Sequence, residues 1–220
     1  MSLAYRSAVS LLAGAMSLSL AVPALADPAQ RPEVAAAAQK LQRQVVDWRR
    51  DFHQHPELSN REERTARVVA DELRRMGLEP KTGIAHHGVV AIIKGGRPGP
   101  RIALRADMDA LPVTERTGLP FASKATAQFR GETVGVMHAC GHDAHTGILL
   151  GVAQALVDMR ATLPGEVMLV FQPAEEGPPV GEEGGASLML AQGLFDGFKP
   201  EAVFGLHVFS TVPAGQIAVR

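Results

Sequence analysis

Residues Met137 to His145 read Met-His-Ala-Cys-Gly-His-Asp-Ala-His, so a thiol, three imidazoles and a carboxylate fall within a few positions of one another. A thiolate and a neutral imidazole together suit zinc, manganese, cobalt or nickel. Cys140 and His142 are one glycine apart, and Gly141 lets the chain bend so that both donors face one point. Asp143 or His145 is placed to orient such ligands through a ring nitrogen not used for binding. A buried inert cysteine with histidines at a helix start is the plainer explanation of any one of these residues. The density of donors favours a metal for the group.

Glu175-Glu176 is the second constellation. Adjacent carboxylates repel, so in a confined site they need cations or separate roles. One can bind a metal while the other takes a proton from water, whose pKa a metal lowers from ~15.7 towards ~7. Glu182-Glu183, in a glycine-rich stretch, reads as a solvated acidic turn. His207 closes Val203-Phe-Gly-Leu-His207 and gains weight only from the other donors. Asp107 and Asp109 flank Met108, and strand alternation puts both on one side. They either steer a ligand imidazole or cap a turn. His53 and His55 resemble a ligand pair, but they end an amphipathic helix, where packing explains them; His86-His87 reads as an exposed turn. A rival chemistry makes Cys140 a nucleophile activated by His142 or His145. It leaves Glu175-Glu176 without a role.

The elements that must carry these residues follow from hydrophobic periodicity. Val34, Ala38, Leu41, Val45, Trp48 and Phe52 recur in steps of three and four, one helical face that ends at His55-Pro56. Ser59 with Glu62 reads as a capping box ahead of a second stripe, Ala66 to Met76, closed by Gly77. Short apolar runs at 89–93, 102–106, 167–171 and 202–206 read as strands, and 147–159 and 186–192 as helices. Residues 107–145 read as one long irregular loop, and 215–220 as the start of a strand. Strands alternating with helices predict an α/β fold, a mixed and mostly parallel sheet flanked by helices. Asp107-Met-Asp109, Glu175-Glu176 and His207 each follow a predicted strand, and such sheets bind ligands beyond the carboxyl ends of their strands.

Arg6, an uncharged stretch from Ser7 to Val22 and Ala24-Leu25-Ala26 predict a signal peptide over residues 1–26 and export to the periplasm or medium. Its apolar part is shorter than the roughly 20 residues that span a bilayer. Residues 27–220 then form part of one domain. The formal charge of −1 becomes −2 when Arg6 leaves with the leader, giving no electrostatic case for nucleic acid or an anionic membrane. A single cysteine excludes an internal disulfide framework, and eight histidines against one Trp and one Tyr lean towards metal chemistry.

Five stretches, in order, carry a resemblance: 51–59 (Asp-Phe-His-Gln-His-Pro-Glu-Leu-Ser), 103–112 (Ala-Leu-Arg-Ala-Asp-Met-Asp-Ala-Leu-Pro), 135–146 around Cys140, 171–177 (Phe-Gln-Pro-Ala-Glu-Glu-Gly) and 205–207. Together they resemble the hippurate hydrolase and N-acyl-amino-acid amidohydrolase family, which includes plant auxin-conjugate hydrolases and belongs with the aminoacylase/carboxypeptidase metallopeptidases. The resemblance implies a zinc-peptidase-like catalytic domain and a pair of divalent ions (manganese, zinc, cobalt or nickel) held by Cys140, His142, Glu176 and His207. Glu175 is implied as general base and Asp109 as an acid beside a ligand. The implied reaction splits a small-molecule N-acyl or N-aroyl amino acid into a carboxylic acid and an amino acid.

Family members are nearly twice as long. Their inserted lid or dimerisation domain, and the returning segment with a last metal-binding histidine, fall beyond this chain; oligomerisation is expected through that insert. The expectation is therefore the N-terminal part of a hydrolase, inactive or weakly active on its own, with a non-catalytic metal-binding remnant as the alternative. Assay of the isolated 220-residue chain on hippurate should show little or no turnover. Robust hydrolysis would refute this expectation.

Overall fold

The apolar stripe of the first predicted helix is buried only in its second half, where Trp48 and Phe52 enter the core and Val34 stays 46% exposed. The computed structural model describes residues 31–219, so the expected leader lies outside the described residues. The helix, α1 (Pro32–Gln54), carries a proline in its first turn, where a missing N–H costs nothing. It lies along α3 (His142–Asp158), and Gly147 and Gly151 of α3 leave room for Val45 and the α1 backbone. Between them in sequence is α2 (Glu63–Arg75). Its capping differs from expectation. Ser59 turns away, and Glu57 instead accepts the backbone N–H groups of Arg64 and Thr65. A carboxylate at this position meets orphan donors and the positive end of the helix dipole together.

The strands are β1 (Lys81–Ile84), β2 (Gly88–Lys94), β3 (Arg97–Asp107), β6 (Pro164–Gln172) and β7 (Ala202–Gly205), in spatial order β1-β2-β6-β3-β7. β1 and β2 pair antiparallel, as do β2 and β6, whereas β3 runs parallel to both β6 and β7. The sheet is mixed, as expected, and its parallel part carries every strand whose end bears a candidate ligand. One face packs on α1, α2 and α3 through Phe52, Leu73, Ile93, Leu150, Leu169 and Phe171. The other is covered by Met189 of α4 (Gly185–Ala191) and Phe198, over Val90, Met168 and Val170. Continuous burial along β6 explains its unbroken apolar run.

Two expectations about irregular chain are corrected. Residues 107–145 contain a hairpin, β4 (Thr126–Phe129) and β5 (Glu132–Gly135), paired antiparallel apart from the main sheet. Each strand is four residues long and half polar, too short for periodicity to register. Residues 215–219 form no strand. Among the described residues no helix is long and apolar enough to cross a membrane.

Phe171 is fully buried on the central strand β6. Phe171→Ala should therefore destabilise the fold by about 3–5 kcal/mol, read from the midpoint shift in urea denaturation.

Candidate metal centre

Parallel pairing brings the ends of β3 and β6 level, with Asp107 opposite Gln172, while β7 stops two residues short beside Arg105. The chain leaving each strand therefore reaches the same edge of the sheet. Asp107 to Asp109 arrive from β3, Glu175 and Glu176 from β6, and His207 from β7. The N-terminus of α3 supplies the rest. Gly141 takes φ 90° as its N-cap, which makes His142 the first helical residue, earlier than sequence periodicity suggested. A side chain at Gly141 would strain that backbone and run into Val208.

His142 is the centre of the cluster. Its side chain is fully buried, and Nδ1 lies 2.8 Å from the Asp109 carbonyl oxygen, which only a protonated Nδ1 can satisfy. Nε2 is then left facing Asp107 Oδ1 at 3.7 Å, Glu175 Oε2 at 3.6 Å and Glu176 Oε1 at 3.8 Å, with no hydrogen-bond partner. A buried ring nitrogen aimed at three carboxylates is an arrangement suited to a cation. On its other flank, Cys140 Sγ lies 3.5 Å from His207 Nε2. Three sets of donor atoms within 4.8 Å of one another share His142: with Cys140 and His207, with Glu175 and Glu176, and with Asp107 and His145.

Surrounding residues fix these donors. His145 is spent twice: Nδ1 lies 2.7 Å from Asp107 Oδ1, and Nε2 accepts the Val208 N–H at 2.9 Å, which anchors the turn after His207. Asp109 holds the acidic pair. Its two carboxylate oxygens accept the N–H groups of Glu175 and Glu176, each at 3.0 Å, while Ser59 Oγ donates to it at 2.7 Å. Burial alone would raise the Asp109 carboxyl, but its contact with His142 and the Ser59 and backbone donors hold it below the ordinary range. Burial opposes ionisation of Asp107 likewise, and its His145 hydrogen bond, with His142 and Arg105 close by, overcomes that.

The Cys140 thiol behaves in the opposite way. Burial and then the Glu176 carboxylate push it up to about 11. A thiol so raised stays protonated near neutrality unless a cation joins it, which argues against a free nucleophile.

All six candidates (Asp109, Cys140, His142, Glu175, Glu176 and His207) thus converge on one edge. Asp109 lies beside the His142 ring, its carbonyl oxygen 2.8 Å and its carboxylate 3.4 Å from Nδ1, while the same carboxylate also orients the glutamates. Of the two readings open for Asp107, the structure favours the one beside a ligand: it faces His142 Nε2 directly. One supporting residue was not anticipated. Glu62, fully buried, accepts the Ala174 N–H at 2.8 Å and so fixes the turn into Glu175, where Ala174 takes φ 48°. His53 proves structural, as expected: it joins Asp143 at 2.9 Å to Glu115 at 3.1 Å. His55 and His86 are exposed, and Glu182 is tied to Arg61 rather than free.

The model of peptidase family M20/M25/M40 matches residues 103–220. The chain is 45% identical over 183 residues to thermostable carboxypeptidase 1 of Saccharolobus solfataricus, covering 81% of this chain and 43% of that protein. It is 39% identical over 189 residues to the N-acyl-L-amino acid amidohydrolase of Geobacillus stearothermophilus, covering 86% and 47%. Among solved structures, a dinuclear metal-binding M20 peptidase from Bacillus subtilis, the YXEP protein, superposes with a TM-score of 0.71 at 41% identity. That match covers 83% of this chain and 47% of that one. The chain thus spans less than half the length of these relatives.

Burial pushes Glu62 up to about 7 from 4.5, so the folded state holds a proton that the unfolded chain releases. Its stabilisation is complete below pH 4.5 and is lost as pH rises through 7. His138, which burial holds down to about 4, gains stability with rising pH over much of the same window, so the Glu62 contribution is read as a difference. In urea titrations with EDTA, Glu62→Gln should rise relative to wild type between pH 4.5 and 7, reaching on the order of 1–3 kcal/mol at pH 8.

Proposed function

The chain belongs to peptidase family M20/M25/M40, and on that premise we propose that it provides the metal-binding half of a site that hydrolyses N-acyl amino acids, N-aroyl ones such as hippurate included. The carrying observation is the bare, buried Nε2 of His142, which faces Asp107, Glu175 and Glu176 with Cys140 and His207 alongside. This donor set fits a pair of divalent ions: thiolate, imidazole and carboxylate satisfy zinc, manganese, cobalt or nickel, and the acids need the positive charge. Cys140, His142, Glu176 and His207 would hold them. Bound there, such ions polarise an amide carbonyl and acidify water.

The chain's own residues supply the rest. Glu175 is anchored by its backbone N–H to Asp109 while its carboxylate stays partly open to solvent, with 34% of the side chain exposed. It takes a proton from the attacking water and delivers it to the departing amine, leaving a carboxylic acid and a free amino acid. Asp109 keeps Glu175 and Glu176 at separate carboxylate oxygens, which lets neighbouring acids serve different roles. His145 holds the segment that carries His207. The apolar N-terminal stretch ending in Ala24-Leu25-Ala26 supports export to the periplasm or medium as part of the same reading.

The test pairs metal analysis with kinetics on the protein carrying this chain. EDTA should abolish hydrolysis of an N-acyl amino acid, and manganese or zinc should restore it. Glu175→Gln should keep both metals while lowering kcat by about 10²–10⁴. Inhibition by thiol alkylation with no response to chelators would instead support a cysteine nucleophile. Metal binding without turnover would support a binding remnant.

A further inference from the structure

Glu175 and Glu176 stand near the start of a long connection between β6 and α4, residues 173–184, whose ends meet. A Cβ built on Gly185, the first residue of α4, would lie 2.7 Å from the Ala174 carbonyl oxygen. Gly185 also takes φ 64°, so both the space and the backbone require glycine there. A surface segment closed at its neck in this way is an Ω-loop. Inside it the backbone is supported by turns, with the Gly177 N–H on Ala174 at 3.4 Å and the Glu182 N–H on Pro179 at 2.9 Å. Firmer support reaches it from outside.

The run Asn60-Arg61-Glu62, just before α2, grips both limbs of the neck. On the outgoing limb Glu62 accepts the Ala174 N–H. On the returning limb Asn60 Nδ2 donates to the Glu183 carbonyl at 2.9 Å, which exposed His86 also approaches at 3.1 Å, and to Glu182 Oε2 at 3.1 Å. Arg61 donates to both oxygens of the same Glu182 carboxylate. These grips differ in weight. The Arg61 and Glu182 side chains are 56% and 36% exposed, and an ion pair so open to water stabilises little. Asn60 is 3% exposed and takes φ 58°, which asparagine tolerates better than most residues. Its Oδ1 is buried with no hydrogen-bond partner among the described residues and lies against Gly184, where a Cβ would come within 2.6 Å of it. An outlier of this kind lowers stability and marks a functional position.

We propose that Asn60 is a positioning residue of the metal centre: it ties the returning limb of the loop to the segment that holds its start, and so fixes Glu175 and Glu176 against His142. Asn60 itself touches neither acid nor any reacting atom. Ser59 acts in the same sense through Asp109, which accepts the N–H groups of both glutamates. Two carboxylates brought within 3.6 and 3.8 Å of one ring nitrogen repel each other, so a loop open at its neck would carry them apart before any ion arrived. A closed neck removes that freedom in advance, and an ion then binds without the cost of ordering its ligands. The bearing of this role on turnover rests on the hydrolase reading above; its bearing on metal affinity does not.

Calorimetric titration of manganese into the EDTA-treated protein carrying this chain tests the role apart from turnover. Asn60→Gly suits φ 58° and removes the unpaired oxygen, so the thermal midpoint of the metal-free protein should stay near that of wild type. The apparent manganese Kd should nevertheless rise about 10–100-fold, the usual effect of losing a group that orients a metal ligand. Gly184→Ala is the second variant, and it decides alone if Asn60→Gly fails to fold. Gly184 is extended, φ 178°, so alanine suits its backbone and acts by crowding the Asn60 amide and Pro178. It should weaken manganese binding in the same direction. Both variants should lower kcat for an N-acyl amino acid at saturating manganese and leave KM near its wild-type value. Manganese affinity unchanged in both overturns the proposal, as does a loss of affinity that only follows a lowered midpoint. Weakened manganese binding in a protein that turns over no N-acyl amino acid keeps the positioning role and overturns the hydrolase. Chelator-sensitive turnover with manganese affinity unaltered in both variants does the reverse.

Discussion

The carboxylates of Glu62, Asp107, Asp109 and Asp143 are almost wholly removed from water, and each must be compensated where it stands. Asp143 has Arg49 and His53, Asp107 has Arg105 and His145, and Asp109 has Ser59 and two backbone donors. Glu62 has one backbone donor and keeps its proton to higher pH. Glu175 and Glu176 lie outside this internal pairing. Their backbone is fixed, their carboxylates are not neutralised, and His142 presents a ring nitrogen to both. The charge left uncompensated falls at one point, and a cation is what completes it.

The stretch 51–59 forms the outer support of that point, although none of its residues belongs to the ligand set. Asp51 pairs with Arg64, Glu57 caps α2, His53 spans Asp143 and Glu115, Leu58 bridges to Ala110 and Ser59 reaches Asp109. The end of α1 is thereby tied to the start of α3 and to the long loop after β3. Ligands on three strand ends and one helix start can keep a common geometry only if such ties resist their separation.

Sheet topology does the gathering. The antiparallel strands β1 and β2 extend the sheet and bury its helical face, but they carry no donor. The parallel set β6-β3-β7 ends every strand on the same side, so motifs far apart in sequence emerge together. The hairpin β4–β5 stands outside this sheet.

Much of this was legible in the amino-acid sequence. The alternation of apolar runs specified strands and helices, because burial of one face imposes the period. The types and local spacing of Cys140, His142, Glu175 and Glu176 pointed to a metal, because thiol, imidazole and paired carboxylates crowded together need a cation. Which of them act as ligands and base came from the family resemblance. Local spacing says nothing about partners that approach from elsewhere in the chain. Only the tertiary structure showed Ser59 bound to Asp109 instead of capping α2, Glu62 holding the turn at Ala174, and Asp107 turned towards His142 Nε2. It also folded residues 126–135 into a hairpin too short and too polar to leave a periodic signal. These are long-range hydrogen bonds and packing contacts, fixed by which strand ends meet, and strand order is set by the whole core.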